Sequence, residues 1–243
     1  MTQTPLTNLQ DASNGFLSDI QEQDSLIPGA ILVTASYHNS AFAQPLFDAM
    51  GIPCPAKLSH AVDKRRADYL AGRAMAHSAM SRLDHPLVPI TNQPSRAPLW
   101  PEGLSGSISH ARGRCACLLS RDTTHTYGVD SEAIAQGRSL TAILSETLND
   151  RERTIIAQDT GPAAANATLV FSAKEALFKA LFPTVGHHFG FDAAELIAPP
   201  ADNTMTLTLT TDLTKDLIKG RCFDLHYRRT DTHVLAWLSV PIA

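Results

Sequence analysis

The stretch that most constrains the fold is Phe171–Leu181, read as Phe-Ser-Ala-Lys-Glu-Ala-Leu-Phe-Lys-Ala-Leu. Alanine, leucine, lysine and glutamate dominate it, and all four favour helix. Its apolar residues recur at helical spacing. The predicted helix runs from about residue 164 to residue 182 and stops at Pro183, because proline removes a backbone donor and clashes with the preceding turn. Glu175 and Lys179 lie four apart and share a face. Alone, they read as a solvated pair worth roughly 0.3–0.5 kcal/mol. A functional reading needs partners from elsewhere in the chain.

Two segments supply candidates. In Tyr127-Gly128-Val129-Asp130-Ser131-Glu132, read as a strand, Asp130 and Glu132 alternate onto one face. Two carboxylates so placed repel unless a cation relieves them. With oxygen donors alone that cation is magnesium, which prefers phosphates for its remaining positions; the bland alternative is a strand end dissolving into a polar loop. The second segment is Gly106–His110, a short strand with Ile108 and His110 on one face and Ser107 and Ser109 on the other.

A long proline-free helix is expected over about 59–83. It carries Lys64, Arg65, Arg66 and Arg73. Arg65 and Arg73 are about two turns apart, reading either as part of a solvated basic face or as guanidinium forks for phosphate. The following 84–101 segment holds Pro86, Pro89, Pro94, Pro98 and Pro101, too much proline for a sheet interior.

The remaining pattern is mixed. Residues 1–27 read as a polar arm with a short helix near 16–20, and residues 30–37 as a buried strand. Residues 106–110, 114–120 and 126–132 read as a three-stranded antiparallel meander. Helices are expected over 139–148 and from Asp150 or Thr154, and strands over 204–210, 221–228 and 233–240. Cys115 and Cys117 share a strand face and read as buried small hydrophobes rather than zinc ligands. The boundary between halves falls near residues 121–126.

At 243 residues and 44% apolar composition the chain can bury a sizeable core, and its net charge of −4 gives no global basic excess for nucleic acid. The polar start has no basic-then-apolar leader pattern and no run is long enough to span a bilayer, so the expectation is a cytoplasmic protein. Phosphate-loop, dinucleotide-fingerprint, nucleophile-elbow and HExxH motifs are absent.

Taken together, Lys64–Tyr69 with Arg73, Trp100–Gly103, Gly106–His110, Tyr127–Glu132 and Phe171–Glu175 with Lys179 resemble the 4′-phosphopantetheinyl transferases of the surfactin and enterobactin-synthetase type. The resemblance covers about residues 60–192. It implies an α/β (α+β) fold: a pseudo-twofold monomer of two similar subdomains, each a small antiparallel sheet packed with a long helix, and an active site in the cleft between them. On this chain the implied divisions are an arm (1–28), an N-terminal subdomain binding coenzyme A phosphates (29–124) and a C-terminal subdomain with the metal and catalytic helix (125–243).

The implied reaction moves phosphopantetheine from coenzyme A to a serine of an apo acyl, peptidyl or aryl carrier protein, in siderophore, non-ribosomal peptide or polyketide synthesis. The resemblance makes Glu175, Lys179 and His110 catalytic. It assigns Arg65, Arg73, Arg96, Ser109, His110 and Lys179 to coenzyme A, and Asp130, Glu132 and Glu175 to magnesium, with manganese as the substitute. Asn92 and Ser95 stand near Arg96 where a lysine is expected. The alternative is a coenzyme A or carrier-protein binding module without catalysis.

Overall fold

A computed structural model describes residues 6–159 and 161–242. They form helices and antiparallel sheets, an α/β fold, in two compact units divided between Thr123 and Thr124. Among the described residues no helix is long and apolar enough to cross a membrane.

The first unit begins with α1 (Leu6–Ala12) and β1 (Leu17–Gln23). The expected helix near residue 16 is therefore a strand. It pairs antiparallel with β2 (Ala30–Tyr37), Leu17 opposite Tyr37. One edge of β1 faces outward with Asp19 and Gln21, which explains its polar sequence; Phe16 and Leu17, both buried, anchor its start. The four-stranded sheet has the order β1-β2-β6-β5, with β5 at Ser105–Ala111 and β6 at Arg114–Ser120.

Short α2 (Leu46–Ala49) precedes α3 (Asp63–Arg82), which packs on β6 and β2. Leu70, Ala71, Ala74 and Met75 meet Val33, Ala35, Cys117 and Leu119 in one core. Gly72 allows close approach to β5: a Cβ there would lie 2.9 Å from a methyl of Ile108. The proline-rich segment forms its own hairpin, β3 (Thr91–Asn92) with β4 (Pro98–Leu99), outside the main sheet.

The expected three-stranded meander is broken after two strands. One edge of β6 is taken by β5 and the other by β2, with Val33 opposite Cys117. No edge is left for a third neighbour, so β7 (His125–Ala133) pairs instead with β11 (His233–Pro241) in the second unit.

That unit has the sheet order β7-β11-β10-β9-β8. Strand β8 (Ala194–Leu196) was not anticipated, being only three residues; β9 (Thr204–Leu209) and β10 (Cys222–Arg229) follow expectation. The helical stretch after β7 is α4 (Gly137–Ala142), running into one wide turn through Thr147. Next comes α5 (Asp150–Ile156), started by Asn149, whose side chain caps Glu152 N–H while Glu152 returns the bond.

Long α6 (Ala163–Val185) packs on β7 and β11. It does not stop at Pro183. Proline costs one hydrogen bond in the final turn, and the helix ends two residues later. Gly186 takes φ +75° there and donates its N–H to the Phe182 carbonyl at 2.8 Å.

Candidate functional site

In the second unit the site is built where α6 crosses β7. Residues alternate along β7, so Gly128, Asp130 and Glu132 share a face. That face is turned to α6, because a Cβ on Gly128 would sit 1.9 Å from the Ala176 carbonyl oxygen. Only hydrogen fits there. Ser172 Oγ donates to the Asp130 carbonyl at 3.1 Å, and Lys179 Nζ donates to the Val129 carbonyl at 3.0 Å. Ser172, Ala176 and Lys179 form the i, i+4, i+7 stripe by which the helix is held to the strand.

Lys179 then reaches the Asp130 carboxylate at 2.7 Å. The aspartate side chain is 4% exposed and the lysine 28%. Lys179 thus serves Asp130 and not its helical neighbour Glu175, contrary to the simple surface pair the spacing suggested. Glu175, half-buried, has its carboxyl pKa raised by burial and then by the Asp130 charge; Lys179 and His188 act in the opposite direction. Its proton affinity is therefore lifted above that of an ordinary carboxylate, which suits a general base. Glu132 lies further along the same face, half-buried, opposite Val234 of β11.

Beside Glu175 is a cavity of about 120 Å³, lined by Lys174, Phe178, His188, Phe189 and Phe191 among others. The Phe178 ring lies 4.9 Å from Phe189 and 5.2 Å from the His188 ring. The floor is fixed by a buried ion pair that sequence reasoning missed. Lys174 Nζ is 2.9 Å from Glu152 Oε2 and also donates to the Thr147 and Phe191 carbonyls. Glu152 Oε1 in turn accepts from Leu196 N–H. Lys174 and Glu152 side chains are 3% and 0% exposed. One lysine therefore ties α5, α6 and the Phe191 turn together next to Glu175.

The metal question turns on the donors. Among the described residues no three His, Cys, Asp or Glu side chains come together as a ready-made cluster. Asp130 and Glu175 are two hard oxygen donors whose charges oppose one another. That donor chemistry fits a divalent hard cation, which would relieve the repulsion now offset by Lys179.

In the first unit the basic cluster on α3 separates. Lys64 pairs with Asp68 at 2.9 Å, and Arg66 with Asp63 and Gln44. Arg65 is exposed, and its side chain enters no hydrogen bond or ion pair among the described residues. Arg73 is buried. Eight residues at about 100° each leave it roughly 80° around the helix from Arg65. It stacks on Tyr69, 4.6 Å from guanidinium to ring centroid. Its Nε donates to the Ile90 carbonyl at 2.8 Å and another nitrogen donates to Asn92 Oδ1. Arg73 thus anchors the foot of the β3–β4 hairpin. Arg96 is exposed at the hairpin tip with φ +73°.

His110 is exposed near the end of β5, on the side of Ile108 and α3, while Ser109 is buried on the opposite side. Cys115 and Cys117 are buried free thiols, as their place on one face of an apolar strand suggested. Burial pushes the Cys115 thiol up to about 12 and raises Cys117 further.

A long helix on an antiparallel sheet, twice, with an acid–lysine site on the second helix, defines a family that comparison with known proteins identifies. Residues 54–120 match the 4′-phosphopantetheinyl transferase N-terminal domain, and residues 126–236 match the 4′-phosphopantetheinyl transferase superfamily. The chain is 32% identical over 189 residues to 4′-phosphopantetheinyl transferase Svp of Streptomyces mobaraensis, covering 74% of this chain and 75% of the relative. It is 31% identical over 176 residues to 4′-phosphopantetheinyl transferase PptT of Mycobacterium tuberculosis, covering 69% and 75%. It is 36% identical over 149 residues to enterobactin synthase component D of Salmonella typhi. That match spans 61% of this chain and 62% of the relative, less than two thirds of its length. The chain belongs to the 4′-phosphopantetheinyl transferase superfamily.

Proposed function

We propose that this protein transfers 4′-phosphopantetheine from coenzyme A to a serine hydroxyl of an apo acyl, peptidyl or aryl carrier protein. The serine oxygen forms the new bond to the pantetheine-side phosphorus. The diphosphate P–O bond breaks, and adenosine 3′,5′-bisphosphate leaves. The observation that carries this reading is the arrangement at α6 and β7: Lys179 fixed to Asp130 at 2.7 Å, with Glu175 beside them holding a raised pKa.

Each residue has a role the chemistry requires. Glu175, directly or through a water, accepts the serine proton. Lys179, with an ammonium already fixed at the site, offsets negative charge developing on phosphate oxygens. The aromatic slot of Phe178, Phe189 and Phe191 beside Glu175 accepts an uncharged arm more readily than a phosphate. Arg65, Arg96, Ser109 and His110 are assigned to coenzyme A. Arg73 is assigned there with them, its guanidinium held in place by Ile90 and Asn92. Asp130, Glu132 and Glu175 would hold magnesium or manganese. When bound, that ion supplies Lewis-acid neutralisation of the diphosphate.

We assign the protein to assembly lines for siderophores, peptides or polyketides, working as a monomer in the cytoplasm. The names of the enterobactin synthase relatives support the first of these pathways. The test is direct. Protein, coenzyme A, magnesium and a panel of apo carriers are incubated, and each carrier is weighed by intact-mass spectrometry. A gain of one phosphopantetheine is expected on at least one carrier. Unchanged masses across acyl, peptidyl and aryl carriers would remove the transferase reading.

A further inference from the structure

A cavity in the first unit is lined by none of the residues assigned to that chemistry. It measures about 430 Å³ and is bounded by Leu9 and Ala12 of α1, by Asp48–Gly51 at α2, by His77, Ser78 and Ser81 of α3, and by Leu87. This volume lies within the range of small-molecule sites, and the wall is mainly apolar. Leu87 is among the few large apolar side chains left exposed, at 45%. Ser78 has its hydroxyl buried with no hydrogen-bond partner.

The charge of the wall is one-sided. None of its lining residues is Lys or Arg. His77 is held neutral by burial, and its Nε2 lies 3.2 Å from the Val88 carbonyl. Arg73, whose charge also acts on His77, is spent on Ile90 and Asn92. Asp48 is exposed and enters no ion pair among the described residues. Such a wall disfavours phosphates and carboxylates, so it does not suit coenzyme A or adenosine bisphosphate.

We propose that this cavity is a binding site for a small organic amine: a cationic head at Asp48 and an apolar body against Leu9, Met50 and Leu87. The site is independent of the transfer reaction, and its residues are outside the machinery assigned above.

Three probes of one shape and different charge test it: 2-phenylethylamine, 2-phenylethanol and phenylacetate. Affinities are measured by ligand-observed NMR titration on the full chain, with and without saturating coenzyme A. The amine is expected to bind best, the alcohol next and the acid least, with coenzyme A leaving all three unchanged. Asp48→Asn should weaken the amine by about 2–5-fold, to the level of the alcohol. Ser81→Phe and Ala12→Phe fill the cavity from two different helices, and each should abolish binding while carrier modification persists. If one of them fails to fold, the other decides. No binding by any probe, equal affinities for amine and acid, unchanged affinity in both filled variants, or displacement by coenzyme A would overturn the proposal.

Discussion

Lys179 Nζ lies 2.7 Å from Asp130 Oδ1 and 3.0 Å from the Val129 carbonyl, so one ammonium ties a mid-strand backbone carbonyl and the next residue's carboxylate on β7 to α6. Removing it takes this ammonium away from Asp130, whose side chain is 4% exposed. Lys179→Met is expected to cost about 1–3 kcal/mol, below the full buried-pair figure because the lysine is partly solvated. It also withdraws one of the two groups, Lys179 and His188, that oppose the rise in the Glu175 pKa. Urea denaturation reads the first effect. The second appears as a shift of the acid limb of the activity profile to higher pH.

Glu175 itself gives a prediction with a sign. Burial, and then Asp130, raise its folded pKa above the unfolded value. The folded state therefore keeps the proton to higher pH than the unfolded chain does. Stability from this group is present at low pH and is lost as pH rises from the ordinary carboxylate range through the raised folded value. Glu175→Gln removes that loss. The variant should be more stable than the parent at neutral pH, have a flatter stability profile across that window, and no longer modify carrier. Thermal melts at several pH values, run with the mass assay, check all three. A less stable, active variant would take Glu175 out of the mechanism.

Gly128 is needed for space rather than for turn geometry. A Cβ there would lie 1.9 Å from the Ala176 carbonyl oxygen, a backbone atom that cannot rotate away. Gly128→Ala must push α6 off β7 and carry Lys179 away from Asp130. The expected cost is at least about 3 kcal/mol, at the upper end for overpacking, together with loss of transfer. Ala176→Gly, which leaves the carbonyl in place, should not rescue it. Chemical denaturation of the single and double variants decides.

The sequence made some of this legible. Helical periodicity with no interior proline marked α3, and period-two alternation of threonine with apolar residues marked β9. Fragments of site chemistry were visible too, because Asp130 and Glu132 had to share a strand face whatever their partners. Partnering was not legible. Whether β7 joins β5 and β6 depends on which strand occupies the second edge of β6, and β2 is nearly eighty residues away in sequence. In Lys174-Glu175 both charges look solvent-facing. The lysine is in fact sealed against Glu152, twenty-two residues distant, which no local pattern reports. Arg73 was grouped with Arg65 by spacing alone, although the drift of 3.6 residues per turn over eight positions was enough to bury it.

Arg73 predicts a behaviour for the β3–β4 hairpin. Its fork meets two acceptors at once, the Ile90 carbonyl and Asn92, and its plane stacks on Tyr69. A lysine point charge cannot reproduce that geometry. Arg73→Lys should cost about 1–2 kcal/mol and release the hairpin. The exposed Arg96 bond at its tip then becomes a faster tryptic site than in the parent protein. Unchanged cleavage there, with a weaker affinity for coenzyme A, would mean that Arg73 acts on phosphate and not on the hairpin.

The thiols separate by environment. Cys222 is exposed, while Cys115 and Cys117 are buried and free. Burial keeps the Cys115 thiol protonated well above pH 8 and seals it from reagent as well. An aromatic disulfide reagent at pH 8 should titrate Cys222 quickly. It should reach Cys115 and Cys117 only at the rate of unfolding, and denaturant should expose both at once.

The buried Lys174–Glu152 pair allows its cost to be divided. Deleting one partner leaves a charge that water cannot reach: Lys174→Met strands Glu152, which still holds Leu196 N–H and Asn149 N–H, and Glu152→Gln strands the ammonium. Each should cost about 3–5 kcal/mol. Lys174→Met with Glu152→Gln removes both charges and should recover part of that loss, since no uncompensated buried charge remains. It does not restore the bonds from Lys174 to the Thr147 and Phe191 carbonyls, which hold the aromatic slot beside Glu175. The double variant should therefore be more stable than either single one and yet remain impaired in carrier modification. A double-mutant cycle in urea, run beside the mass assay, separates the two. Full recovery of activity with stability would mean that the slot does not depend on Lys174.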